Sequence, residues 1–307
     1  MSEPTDSTAD EAAERAAKAQ SQEPKPAPER RSDAALTVRA AAAVVLAAAA
    51  LVAAWIGGFW FMVFWFAAAT LALWEWQRLI GGERLIARIA VGLATLVVVA
   101  PLALHGAKIW SFAAIAAGAI AAGAVAGRNG RPIWTATGAA YSAALLAAPV
   151  LLRASPAYGL ASILWLYGVV WGADTFAFLG GRSIGGPRLW RRVSPGKTWS
   201  GAIVGTFAGA AIGAVVAILA APGGARFAPL FFLGVAAAIV GQIGDLAESA
   251  VKRRFAVKDS SRLIPGHGGV LDRLDAFVAA AVFAALVGWA NSDGGWVAAG
   301  LFQMVSP

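Results

Sequence analysis

Nine apolar runs, each roughly twenty residues long, follow one another between residues 36 and 291 with only short breaks. A run of that length spans the hydrocarbon of a bilayer, about 30 Å, as an α-helix. In lipid every backbone polar group must be satisfied within the protein, so successive runs of this kind fold as a helix bundle. The chain is 59% hydrophobic and 14% charged, where a soluble domain carries about 25% charged residues. The sequence therefore predicts an all-α, polytopic integral membrane helix bundle. About nine transmembrane helices are expected, near 36–56, 59–77, 86–104, 109–126, 133–152, 157–180, 201–221, 227–248 and 274–291. Gly57-Gly58, Gly81-Gly82 and the glycine-containing stretches 127–130 and 221–224 punctuate them.

The charge is unevenly shared. Residues 1–33 hold eight acids against five bases and are rich in Ala, Glu, Ser and Pro. Low hydrophobicity with mixed charge predicts a disordered cytoplasmic tail over 1–34. The whole chain carries +8, so the remainder carries +11. Seventeen Lys and Arg fall on the tail's side of the predicted spans; only Lys108, Arg153 and Arg226 fall on the other. That asymmetry predicts an N-in, C-out chain in the inner (plasma) membrane. A balance this basic can serve nucleic acid, but helices this apolar offer it no surface. The bases read instead as a topology signal and as contacts for anionic headgroups. The first apolar run lacks a small-residue cleavage site, so no signal peptide is expected. Cysteine is absent, which excludes disulfides, thiolate catalysis and Cys-ligated zinc.

Two polar segments, 181–200 and 249–273, interrupt the apolar pattern. Two spans separate them, which puts both on the cytoplasmic face. The second holds Lys252, Arg253, Arg254, Lys258 and Arg262, then a glycine-rich turn around His267, then Asp272-Arg273-Leu274-Asp275. Cations, backbone N–H groups freed by glycine, and carboxylates at helical spacing are what polyphosphate and metal ions need. Carboxylates also stand inside apolar runs: Asp174, and the pair Asp245 and Glu248. A carboxylate in a span serves an ion, a proton or a paired cation. Asp245 with Glu248, and Asp272 with Asp275, are spaced i, i+3, so each pair shares a helix face. A hairpin-like course of 249–271 would bring Asp245 beside Asp272. Taken singly, each acid serves equally well to neutralise Arg253, Arg254 or Arg273; together they favour a metal. In the first segment Ser194-Pro-Gly-Lys197-Thr198 lacks the P-loop spacing. A lysine and hydroxyls at a turn entering a helix still hold phosphate by the same physics, although a simple positive-inside loop looks alike. His267 reads as a phosphate or carboxylate contact.

Residues 249–275 fit without a gap the signature Ser-x-Val-Lys-Arg-x4-Lys-Asp-x-Ser-x2-Ile-Pro-x-His-Gly-Gly-Val-x-Asp-Arg-Leu-Asp. In this the chain resembles the phosphatidate cytidylyltransferases (CDP-diacylglycerol synthases). Asp174-Thr175, Gly181-Arg182 and Ser194-Pro-x-Lys197-Thr198 are similar to that family's upstream elements, in its order. The likeness is strong over 165–290 and general before that. It departs at Phe178 and Ser200, where the family often has Tyr and Glu, and these two positions receive no role.

The resemblance implies that CTP and phosphatidic acid give CDP-diacylglycerol and pyrophosphate, with Mg²⁺ required and a second cation accommodated. It implies N-terminal membrane helices over 35–156 and a catalytic membrane region over 157–307 with cytoplasmic loops 181–200 and 249–273. The catalytic candidates are then Asp245, Asp272, Lys252, Arg253, Lys258, His267 and Arg273. Ser194, Lys197, Thr198, Arg182, Ser249 and Asp259 become substrate contacts, and Asp245, Asp272, Asp275, Glu248 and Asp174 metal ligands. A homodimer is expected from the family and from small-residue helices such as 201–213. Two other readings stay open: a CTP-dependent lipid-alcohol kinase, and a secondary transporter using intramembrane acids. Against the transporter, no internal repeat pairs the two halves, and the acids gather at one face.

Overall fold

Each expected span becomes a helix. The computed structural model describes residues 33–264 and 268–303, with side chains from residue 41. The long helices are α1 (Asp33–Ile56), α2 (Gly58–Ile80), α3 (Leu85–Leu104), α4 (Lys108–Ala126), α5 (Pro132–Arg153), α6 (Gly159–Ser183), α7 (Trp199–Ala220), α8 (Phe227–Arg254) and α9 (Leu271–Ala290). Among the described residues, eight helices, α2 to α9, are long and apolar enough to cross a membrane, and the apolar part of α1, Ala41–Ile56, is shorter. Residues 1–32, where most of the disordered tail is expected, lie outside the described residues.

The helix ends depart from the expectation where charge sits. α8 runs on to Arg254 and α9 begins at Leu271. Ser249, Lys252, Arg253, Asp272 and Arg273, expected in a loop, are therefore helical. Lys252, Arg253 and Arg254 occupy the last turn of α8, and Asp272 the first turn of α9. Each charge faces the helix-dipole end of opposite sign, which favours continuing the helix. A second departure is a short antiparallel hairpin of β1 (Arg188–Trp190) and β2 (Ser194–Thr198), pairing Arg188 with Thr198 and Trp190 with Ser194. A basic, glycine-containing stretch has no apolar alternation to announce strands. A third is α10 (Val297–Gln303), beyond the last expected span. Its Phe302 is buried and stacks on Tyr158 at 5.1 Å.

α6 and α7 form the most extensively packed pair in the bundle. Gly201, Gly205, Gly209 and Gly213 recur every four residues along one face of α7. A Cβ at Gly205 would lie 2.5 Å from the Ala173 carbonyl oxygen, and one at Gly201 2.6 Å from that of Ala177. Gly168 and Gly172 answer from α6, where a Cβ would lie 3.0 Å from the Cα atoms of Gly213 and Gly209. The backbones are thus in contact, as a small-residue stripe permits. At one end of the bundle, the buried Arg88 closes the α2–α3 and α4–α5 corners. Its guanidinium donates to the carbonyls of Gly81 (2.8 Å), Gly130 (3.0 Å) and Gln77 (3.3 Å). Two of these carbonyls stand at the end of α2, where no intrahelical donor remains for them.

Candidate active site

Three stretches far apart in the chain meet at the end of the bundle that carries the hairpin. β2 brings Lys197, the last turns of α8 bring Asp245, Glu248 and Lys252, and the first turn of α9 brings Asp272 and Asp275. The Lys197 ammonium donates to Asp245 Oδ2. The Lys252 ammonium lies 2.7 Å from Glu248 Oε2 and 2.7 Å from Asp272 Oδ1, so one cation bridges α8 and α9. Asp245, Glu248 and Asp272 thus each have a lysine partner. Asp275 accepts the Ala276 N–H at 2.7 Å. Asp174 lies within electrostatic reach of Lys197 and Arg273. Burial pushes the Lys197 ammonium below its ordinary value, opposed by the nearby charges of Asp275 and Asp174. These effects place Asp174, Glu248, Asp275, Lys197 and Lys252 in one electrostatic neighbourhood.

The remaining candidates are spread around this cluster. Arg253 is exposed and donates to the Val193 carbonyl at 3.4 Å, which ties α8 to the hairpin turn. Arg182, Lys258 and Asp259 are exposed, and Ser194 and Ser249 are half-buried. Thr198 is buried and caps α7, its hydroxyl accepting the Gly201 N–H at 3.1 Å. Ser200, given no role from the sequence, donates to the Gly185 carbonyl and so braces the hairpin. Phe178, likewise without a role, is 65% exposed on α6. His267 lies outside the described residues.

The sequence reading passed over Glu75. It is fully buried in α2 and accepts four hydrogen bonds from the segment 260–271. The signal was available: Glu75 is the single acid within the apolar run 59–77, and the rule that singled out Asp174 applies to it equally.

An apolar cleft of about 550 Å³ runs between α5, α8 and α9. Tyr141, Val240, Gly244, Val282 and Phe283 are among its walls, and Glu248 and Asp275 also line it. The buried Tyr141 hydroxyl and both Glu248 oxygens find no hydrogen-bond partner among the described residues, the Lys252 ion pair apart. A carboxylate oxygen left open beside a lysine, as Glu248 Oε1 is, suits a hard cation such as Mg²⁺. Among the described residues no three His, Cys, Asp or Glu side chains come together as a metal cage. Glu248 and Asp272, which share the Lys252 ammonium, are of the kind that serves Mg²⁺ in its usual manner, with one or two carboxylates and the rest of the shell supplied by substrate phosphates and water.

Comparison with known proteins gives a consistent picture. The sequence model of the Cytidylyltransferase family matches residues 37–290. A phosphatidate cytidylyltransferase of Brucella abortus is 40% identical over 255 residues, covering 82% of this chain and 93% of that protein. Those of Haemophilus influenzae and Bacillus subtilis are 40% and 41% identical over 131 and 124 residues, covering 42% and 39% of this chain and 46% and 45% of those proteins.

Proposed function

This chain belongs to the cytidylyltransferase family, and from that premise we propose that it transfers the cytidylyl group of CTP to phosphatidic acid. The products are CDP-diacylglycerol and pyrophosphate. One observation carries the reading beyond the family: Asp275 and the lysine-paired Glu248 line an apolar cleft between membrane helices. The charged groups suit phosphates, and the cleft suits an acyl chain.

An oxygen of the lipid phosphate attacks the α-phosphorus of CTP. The bond from that phosphorus to the bridging oxygen breaks, and pyrophosphate leaves with the electron pair. The nucleophile is already anionic and needs little help from a base. The obstacle is bringing a dianion to a triphosphate, so the task is positioning and charge stabilisation. Lys197, Lys252, Arg253, Lys258 and Arg273 supply positive charge to the phosphates. Asp245 and Asp272 would hold Mg²⁺, with Glu248, Asp275 and Asp174 as further or supporting ligands. When bound, the metal supplies charge that offsets the developing negative charge on the leaving group. Lys197 and Lys252 already mark where these carboxylates demand a cation.

An assay with CTP labelled on cytidine or on the γ-phosphate, given phosphatidic acid in mixed micelles, tests this reading. The cytidine label should enter the lipid fraction and the γ-label should leave as pyrophosphate. Label reaching lipid only from the γ-phosphate would make the protein a lipid kinase, and no incorporation would remove the transferase reading.

CTP is cytosolic, so the cluster belongs on the cytoplasmic face. A reporter inserted beside Gly186, where a Cβ would meet nothing within 4 Å, should read cytoplasmic, and one fused after Pro307 should read the opposite side. The reverse pattern would separate the cluster from its nucleotide.

A further inference from the structure

We propose that Glu75 is a positioning residue for Asp272, fixing from the N-terminal half of the molecule the carboxylate that faces the cation. The proposal rests on the reading of Asp272 as a metal ligand. Glu75 stands in Leu71-Ala72-Leu73-Trp74-Glu75-Trp76 and is 0% exposed. A carboxylate so placed is costly unless it is hydrogen-bonded. Its Oε1 accepts from the Ser261 hydroxyl at 2.6 Å and the Val270 N–H at 2.9 Å. Its Oε2 accepts from the Ser260 hydroxyl at 3.0 Å and the Leu271 N–H at 2.8 Å.

These donors matter because of what they hold. Val270 and Leu271 open α9, whose N-terminus has no side-chain cap of its own. Glu75 therefore caps α9 from another helix, and its charge meets the positive end of the α9 dipole. Asp272, in the first turn, is oriented by the same segment. Its Oδ2 accepts the Ser260 N–H at 2.9 Å and the Gly269 N–H at 2.8 Å. The Ser260 oxygen is 3.0 Å from both Asp272 Oδ2 and Glu75 Oε2. A hydroxyl has one proton and serves one acceptor. Each acid already has two main-chain donors, so the Ser260 hydroxyl stands between the two carboxylates and links one to the other. Asp272 Oδ1 is thereby left pointing at the cation position, now held by Lys252 at 2.7 Å. A Cβ on Gly269 would strike Ser260 Oγ and come 2.6 Å from both Glu75 oxygens, so only glycine lets the chain pass between them.

Glu75→Gln keeps the shape but turns an acceptor into a donor that faces other donors. The test uses full-length protein purified in mild detergent, with Mn²⁺ binding followed by electron paramagnetic resonance. Mn²⁺ affinity should fall about tenfold, as for loss of a supporting partner of a metal ligand. The Mg²⁺ needed for half-maximal activity should rise by a similar factor, while KM for CTP at saturating Mg²⁺ stays near that of the unaltered protein. Ser260→Ala should shift both in the same direction, and the double variant should be no worse than Glu75→Gln, since both cut one link. A lower yield of Glu75→Gln whose surviving protein binds Mn²⁺ normally would make Glu75 a purely structural residue and overturn the proposal. If Glu75→Gln gives no folded protein, Ser260→Ala decides: unchanged Mn²⁺ affinity there overturns it. Normal Mn²⁺ shifts in a protein that transfers no cytidylyl group would sink the proposed reaction and leave the positioning role standing.

Discussion

Asp272→Asn should lower turnover by at least about a hundredfold, and Asp245→Asn by a similar factor, because on the proposed reading each removes a charge that would hold the catalytic cation. Asparagine preserves size and can still accept the Ser260 and Gly269 N–H groups that orient position 272. Lys252 also keeps its pairing with Glu248 at 2.7 Å, so assembly of the bundle should survive. Excess Mg²⁺ should rescue little, since the position of the charge matters as much as its presence. Asp293→Asn is the control. Asp293 follows the opposite end of α9 and has a positive φ of 41°, a conformation that Asn tolerates as readily as Asp, so the change should be nearly silent. Turnover within a few-fold of normal for Asp272→Asn, at normal protein level, would leave these acids as partners of the lysines. The metal would then be sought at Asp174 and Glu248.

Gly209→Leu should abolish recovery of assembled protein. A Cβ there would strike the Val169 carbonyl oxygen and lie 2.7 Å from the Ala173 nitrogen. Both are backbone atoms of a neighbouring helix and cannot turn aside. Overpacking a core commonly costs about 1–3 kcal/mol; here two whole helices must separate, so the cost lies above that range. The expected readout is a loss of the monodisperse peak in detergent to less than about a tenth of normal. Leu219→Ala on the same helix, at a side chain 82% exposed, should elute as the unaltered protein does. A normal peak for Gly209→Leu would mean that α6 and α7 do not touch along this stripe. Activity should fall with assembly, because α6 and α7 flank the hairpin that carries Lys197.

The spans were readable because length and apolarity are properties of contiguous residues. The helix ends at Arg254 and Leu271 were not, because the same cations that mark a cytoplasmic loop also stabilise a helix C-terminus. Spacing i, i+3 correctly put Asp245 with Glu248 on one helix and Asp272 with Asp275 on another. It could not choose their partners: Lys197 is 48 positions from Asp245, and Lys252 is 20 from Asp272. Only the packing of α8, α9 and the hairpin brings these lysines to the acids. Thr198 shows the same limit. A hydroxyl before a helix suits phosphate and N-cap alike, and here it caps α7. Glu75 was visible as an acid among tryptophans, but its meaning lies in donors from the other end of the chain.

That separation bears on how the protein is made. The donors to Glu75 come 185 to 196 residues after it. At a ribosomal rate of about 5–20 residues per second, α2 enters the bilayer roughly ten to forty seconds before they emerge. Throughout that interval the carboxylate lacks those four donors, and water must serve it in their place. A nascent chain halted before Val270 would therefore carry α2 without the main-chain donors that Glu75 meets in the finished bundle. Closing the loop between α8 and α9 is therefore also the step that completes the surroundings of Glu75.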